Sequence, residues 1–269
     1  MPQDDPFAEF KAKQREGWST FAPVEVFTTP PAGHLVRFAE VRAGQNVLDV
    51  GTGTGVVALT ARRLGAKVSG LDLTPKLLER ARENAKIAQV EDIEWREGDA
   101  ESLPYADASF DVVLSQFGHM FAPRPDVTVR EMLRVLKPGG RIAFATWPPE
   151  HMTGQMFSLV GRYAPPPPPG AAPPPLWGNP AVIIERLGAA VRDIFFQRGI
   201  MSFPTLSPQH YRHGMEQTVG PIMKLVQLLA SDQKRLAEFR GELEALASRY
   251  LADNVVRQDY LVTRATKTG

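Results

Sequence analysis

From residue 44 to residue 147 short apolar runs alternate with stretches of helical periodicity. That alternation is the pattern of stacked strand–helix–strand units, which bury their faces only as a parallel sheet covered by helices on both sides. Strands are expected at 46–50, 67–71, 93–97, 110–114 and 141–146. Between the second and third lies LTPKLLERARENAKI, with Thr74 as N-cap, Pro75 in the first turn and Leu77, Leu78, Ala81 and Ala85 on one apolar face. DVTVREMLRVLKPGG predicts a further helix, stopped by Pro138, Gly139 and Gly140 directly before the fifth strand.

The first strand runs into a glycine loop, NVLDVGTGTGVVALT at 46–60. Three glycines at alternate positions leave no Cβ between the backbone and a ligand lying across the strand tips. A nucleoside triphosphate loop requires a lysine and a hydroxyl after its last glycine, where this chain has Val56 and Val57. A nicotinamide dinucleotide fingerprint requires glycine at the sixth place, which is Val56 here, so that reading is weakened. S-adenosylmethionine has no phosphate and carries a positive amine, which suits an acid such as Asp49 at the loop. Asp72, at the end of the second strand, is placed for the ribose hydroxyls in either nucleoside class. Asp99, in EGDAESLPY after the third strand, is placed to accept from an adenine amino group, with the Ala100 N–H donating to the ring; a plain turn residue is the competing reading.

Taken in order, VLDVGTGTG (47–55), LDLTPKLLERAREN (71–84), EGDAESLPYADASFDVVLS (97–115) and RVLKPGGRIAFATW (134–147) resemble the successive motifs of class I S-adenosylmethionine-dependent methyltransferases, most closely the branch of ubiquinone and menaquinone biosynthesis. The resemblance implies an α/β fold, a doubly wound, seven-stranded, mostly parallel sheet whose last strand is antiparallel. It also implies a cofactor set. Asp49, Gly51, Thr52 and Gly53 would line the methionine end, Asp72 and Leu73 the ribose, Asp99, Ala100 and Glu101 the adenine, and Ser115 and Gln116 the floor beside the sulfonium.

The remaining chain divides by texture. Residues 1–43 read as N-terminal lid helices, with Trp18 and Phe21 as apolar contacts over the cofactor; 44–147 form the cofactor-binding core. Residues 148–190 carry the run PPPPPGAAPPP and read as a proline-rich lid or loop without regular helix. DIFFQRGIMSF and QDYLVTRATK read as the closing strands of 191–269, separated by a helical cap insertion at about 207–252.

A methyl group on a sulfonium is already electrophilic, so the protein's tasks are alignment, exclusion of water and, for a hydroxyl or enol acceptor, a base. His119 after the fourth strand and His151 after the fifth are the candidate bases, each weighed against a locally bonded histidine. Members of the class that methylate amino groups on bases or glutamine carry Asn or Asp, two prolines and an aromatic where this chain has Ser115, Gln116, Phe117 and Gly118. The chain has no cysteine, which excludes thiolate metal sites and cysteine-dependent arsenite or cytosine-carbon methylation. Its five scattered histidines form no metal motif. With 31 Lys+Arg against 30 Asp+Glu, interspersed, there is no nucleic-acid footprint.

The expectation is a cytoplasmic enzyme with no metal and no membrane insertion, for which a homodimer is compatible. It moves a methyl group to a small or medium organic acceptor, by O- or C-methylation, over an adaptable pocket of Met152, Met156, Phe157, Trp177, Met201 and Met215. The alternatives left open are a nicotinamide-dependent oxidoreductase and a non-catalytic module that binds the same cofactor.

Overall fold

The computed structural model of the chain describes residues 5–90 and 92–269. Eight strands among the described residues share one sheet: β1 (Asn46–Val50), β2 (Lys67–Asp72), β3 (Ile93–Glu97), β4 (Phe110–Gln116), β5 (Leu136–Thr146), β6 (Val191–Pro204), β7 (Leu251–Ala252) and β8 (Val255–Lys267). The order is β3-β2-β1-β4-β5-β8-β6, with β7 paired to β8 off this path. β1 to β5 pair in parallel, while β8 runs antiparallel to both β5 and β6. The expected seven-stranded sheet is therefore present, with the two-residue β7 added where the chain turns back at Asp253 and Asn254, both with positive φ.

Helices α1 (Ala8–Trp18) and α2 (Glu25–Phe38) precede the sheet. α3 (Val56–Arg63), α4 (Pro75–Ile87) and α5 (Pro125–Val135) connect the parallel strands. β1 and β4 are apolar without alternation because helices cover both faces of the sheet there. Two details differ from the sequence reading. Thr74 occupies the N-cap position of α4 but its hydroxyl makes no capping bond. β5 begins at Leu136, so the Pro-Gly-Gly segment lies inside an irregular strand start instead of ahead of it.

The segment 148–190 is a larger departure. α6 (Met152–Tyr163) and α7 (Pro180–Leu187) are regular helices on either side of the prolines. The proline run fixes only its own backbone, and α6 forms because Met152, Met156 and Leu159 make one buried face. That face packs with α8 (Pro208–Thr218), α9 (Gly220–Leu228) and α10 (Gln233–Ser248) in a second apolar core containing Tyr211, Met215, Leu225, Phe239 and Leu243. The cap thus stands on its own hydrophobic cluster above the strand tips. No described helix is long and apolar enough to cross a membrane.

Candidate active site

The sheet order reverses between β1 and β4, and a cavity opens outside the carboxyl ends of the strands at that point. Gly51, Gly53 and Gly55 turn from β1 into α3 with φ of 66°, 54° and 84°, angles that a side chain would strain. A Cβ on Gly51 would lie 2.8 Å from Cα of Gly118, so the glycine loop and the loop after β4 touch backbone to backbone.

Asp49 and Asp72 stand beneath this loop. Oδ2 of Asp49 accepts the Thr52 hydroxyl at 2.6 Å and the Ala58 N–H at 3.1 Å, which caps the first turn of α3. Its Oδ1 is buried without a partner. Burial, reinforced by the Asp72 charge, pushes the Asp49 carboxyl up to about 7 against the pull of those two bonds. Asp72 accepts the Gly53 N–H on Oδ2 and the Thr74 N–H on Oδ1, each at 2.8 Å, and burial raises it as well. Each Asp72 oxygen keeps a lone pair for another donor. A buried acceptor without a partner carries a free-energy penalty. An ammonium at Asp49 and a diol at Asp72 would remove it, which is what an amino-acid nucleoside offers.

At the third strand tip Asp99 lines the cavity, and so does Lys11 of α1. The Lys11 ammonium donates to Asp5, Asp99 and Glu101, each at 2.6 Å, and the residue is 2% exposed. Burial alone would lower the lysine, but the three carboxylate bonds hold it above its ordinary value. Arg124 adds bonds to Glu101 and Asp5 at 2.7 and 3.2 Å. Two side-chain cations therefore offset most of the charge of these three carboxylates, and the cluster fastens α1 across the cavity. Gln14 donates to the Phe121 carbonyl, Trp18 packs on Phe121 at 4.6 Å, and Gly220 of α9 meets Gly17 so closely that a Cβ there would lie 1.9 Å from its oxygen. Trp18 and Phe21, expected as apolar contacts over the cofactor, both line the cavity.

The structure brings Asp49, Gly51, Thr52, Gly53, Asp72, Leu73, Asp99, Ala100 and Gln116 around this one cavity. Four expected residues are not on its wall. Glu101 is turned to Lys11 and Arg124. Ser115 donates to the Val50 carbonyl at 2.6 Å and accepts the His119 N–H at 3.1 Å, so it ties two strand ends together. His119 is 1% exposed, wedged between Phe144 and Trp177 at ring distances of 4.8 and 4.5 Å, with neither ring nitrogen bonded. Burial, with the Arg186 guanidinium nearby, lowers it to about 3, which leaves it neutral and unable to act as a base at the cavity. His151 precedes α6 and meets Arg198 and Glu150 at 3.1 and 3.7 Å, outside the cavity. The two histidine candidates are corrected accordingly: one is sealed in the core, the other faces the rim.

Beyond Gln116 the cavity becomes apolar under the cap. Met156, Phe157, Met201 and Met215 line it as expected, whereas Met152 lies in the cap core and Trp177 packs against His119. Sequence reasoning missed Lys11, Phe117, Trp147, Phe203, Thr153 and Gln258. Phe117 takes φ of 60° and stacks on Trp147 at 3.9 Å and 12°. A left-handed aromatic is a strained choice, held here by that stack and by its N–H bond to Ala145. Thr153 and Gln258 form a polar pair, hydroxyl to Oε1 at 3.3 Å, and Gln258 Nε2 donates to the buried Tyr211 hydroxyl at 2.9 Å. Gln258 sits between Arg257 and Asp259 in β8, so nothing in the local sequence singled it out from its polar neighbours.

Comparison with known proteins agrees with this geometry. Residues 48–144 match the model of the methyltransferase domain family. An uncharacterized protein of Mycobacterium tuberculosis is 35% identical over 247 residues, which are 91% of this chain and 90% of the relative. The methyltransferase GfsG of Streptomyces halstedii is 44% identical over 113 residues, 41% of each chain. Among solved structures, a methyltransferase of Bacillus halodurans superposes with a TM-score of 0.60 at 20% identity, covering 88% of this chain and 99% of that one, and so shares the fold.

Proposed function

Because the chain belongs to the class I S-adenosylmethionine-dependent methyltransferases, with S-adenosylmethionine as its cofactor, we propose that it methylates a small, largely apolar organic acceptor at oxygen or carbon. An aromatic ring acceptor fits the branch of quinone biosynthesis that its motifs resemble. The observation that carries the reading is the two-part cavity: carboxylates and bare glycine backbone at the tips of β1 to β3, continuous with a methionine- and aromatic-lined chamber under the cap. When bound, the cofactor supplies an electrophilic methyl group.

The residues present fit it. The unpartnered Asp49 oxygen would take the ammonium, Asp72 the ribose hydroxyls, and Asp99 with the Ala100 N–H the adenine edge. Gln116, whose Nε2 is held on the Thr28 carbonyl at 2.8 Å, closes the floor between the two halves. The chain's own contribution is then to bind, to align and to exclude water: α1 and the cap cover the cavity, and Phe117 and Trp147 offer a flat stacked wall for a ring. Methyl transfer into a compartment of this kind needs proximity more than a dedicated acid–base group.

The test is transfer of a labelled methyl group from S-adenosylmethionine to a panel of phenols, quinols and polyketides. Formation of S-adenosylhomocysteine that depends on an added acceptor supports the reading. Stoichiometric cofactor binding with no transfer to any member of the panel, and transfer instead to amines, would contradict the acceptor class.

A further inference from the structure

Resting on that reading of the cavity, we propose that the acceptor enters already ionised, as a phenolate or enolate, and takes the methyl group without a protein base. The wall of the acceptor half is Phe117, Trp147, Met156, Met201, Phe203 and Met215. Its polar members at the far side are neutral: Thr153 and the Gln258 amide, which keeps one N–H after donating to Tyr211. The titratable groups on the cavity wall among the described residues, Lys11, Asp49, Asp72 and Asp99, all belong to the cofactor half, where they are tied to one another and to the backbone. The nearest histidines are occupied elsewhere: His119 against Phe144 and Trp177, His151 against Arg198, and His34 on the Tyr260 hydroxyl, behind the Phe117 and Trp147 wall. Tyr211 is likewise sealed behind Gln258.

Such a chamber discriminates by charge. The cation facing an acceptor there would be the sulfonium of the bound cofactor, and in an apolar medium opposite charges attract far more strongly than in water. An acceptor oxygen or carbon that has lost its proton to solvent attacks the methyl carbon; the new bond forms as the C–S bond breaks, and that electron pair stays on sulfur. Two charges become none, so surroundings that penalise ions favour the forward step. An amine acceptor would leave a new cation against methionine and aromatic carbon with no carboxylate on that side. The remaining N–H of Gln258 is a neutral donor suited to a carbonyl or the oxyanion.

The decisive experiment uses the full chain and two readouts. In the first, kcat/KM against pH is measured for phenols whose own acidity is stepped by ring halogens and nitro groups. The acid limb is expected to move with each phenol's own pKa; a limb fixed at one pH across the series would reveal a protein base and overturn the proposal. In the second, a nitrophenolate and its methyl ether are titrated calorimetrically into the protein saturated with S-adenosylhomocysteine, which has a neutral sulfur, or with sinefungin, whose protonated amine stands where the sulfonium does. The phenolate is expected to bind at least tenfold more tightly beside the charged analogue, and the ether equally to both. Equal phenolate affinities, or no phenolate binding to either complex, would overturn the proposal. Failure of S-adenosylhomocysteine itself to bind would instead overturn the function stated above.

Discussion

Replacing Asp49 with Asn tests the electrostatics of the glycine loop without disturbing its shape. The amide oxygen keeps the bonds from Thr52 and Ala58, and the change removes only the charge. Burial holds the carboxyl at about 7 in the folded protein, against an ordinary value of 3.8. A raised folded pKa means that the folded state keeps its proton longer than the unfolded state. The stability associated with Asp49 is therefore complete below 3.8, declines as pH rises and is fully lost above about 7. At 1.36 kcal/mol per pH unit the loss is about 4 kcal/mol. Asn has no such dependence. Urea unfolding of both proteins without ligand, at pH 4 and pH 8, should show Asp49→Asn gaining about 4 kcal/mol relative to the parent between the two conditions. A difference that stays constant with pH would show that Asp49 is not buried as a proton-holding acid. The same substitution should weaken S-adenosylhomocysteine about tenfold to a hundredfold, the worth of one charged hydrogen bond.

Asp72→Ala should leave the fold intact while lowering cofactor affinity at least tenfold by calorimetry. Gly118→Ala puts a Cβ 2.7 Å from the Gly51 oxygen; an overpacking cost of about 1–3 kcal/mol in chemical unfolding should be joined by weakened cofactor binding as the glycine loop is displaced. Lys11→Met leaves Asp5, Asp99 and Glu101 facing one another, and should cost about 3 kcal/mol and raise protease cutting within residues 8–18. His119→Phe should retain methyl transfer. Because the folded histidine is held near 3 and the unfolded one near 6.5, the parent loses stability as pH falls through that window; between pH 8 and pH 5 the variant should gain about 2 kcal/mol relative to the parent.

How far the sequence revealed all this depended on whether the information was local. The five parallel strands and the two aspartates at the first two strand tips were legible because a glycine loop and a strand-ending acid declare themselves within a few residues. α6 was missed because neighbouring prolines overshadowed a twelve-residue helix whose reason for existing, the Met152, Met156 and Leu159 face, is answered by α8, α9 and α10 from another part of the chain. Lys11 was illegible for the same reason: its partners lie up to 90 positions away. His119 misled because position after a strand does not distinguish a side chain at the cavity from one turned into the core beside Phe144 and Trp177. Glu101 and Ser115 were expected at the cofactor by the family pattern, and here they brace the elements that shape its cavity.

The central claim is that one cavity holds the cofactor by the three strand-tip acids and presents its methyl group to the apolar chamber. A crystal structure of the protein with S-adenosylhomocysteine addresses it most directly. The account predicts the ammonium on Asp49, the ribose diol on Asp72, the adenine edge beside Asp99 and Ala100, and the sulfur turned toward Phe117 and Met215. A nucleoside bound with its sulfur facing away from that chamber, or with Asp49 and Asp72 untouched, would contradict it.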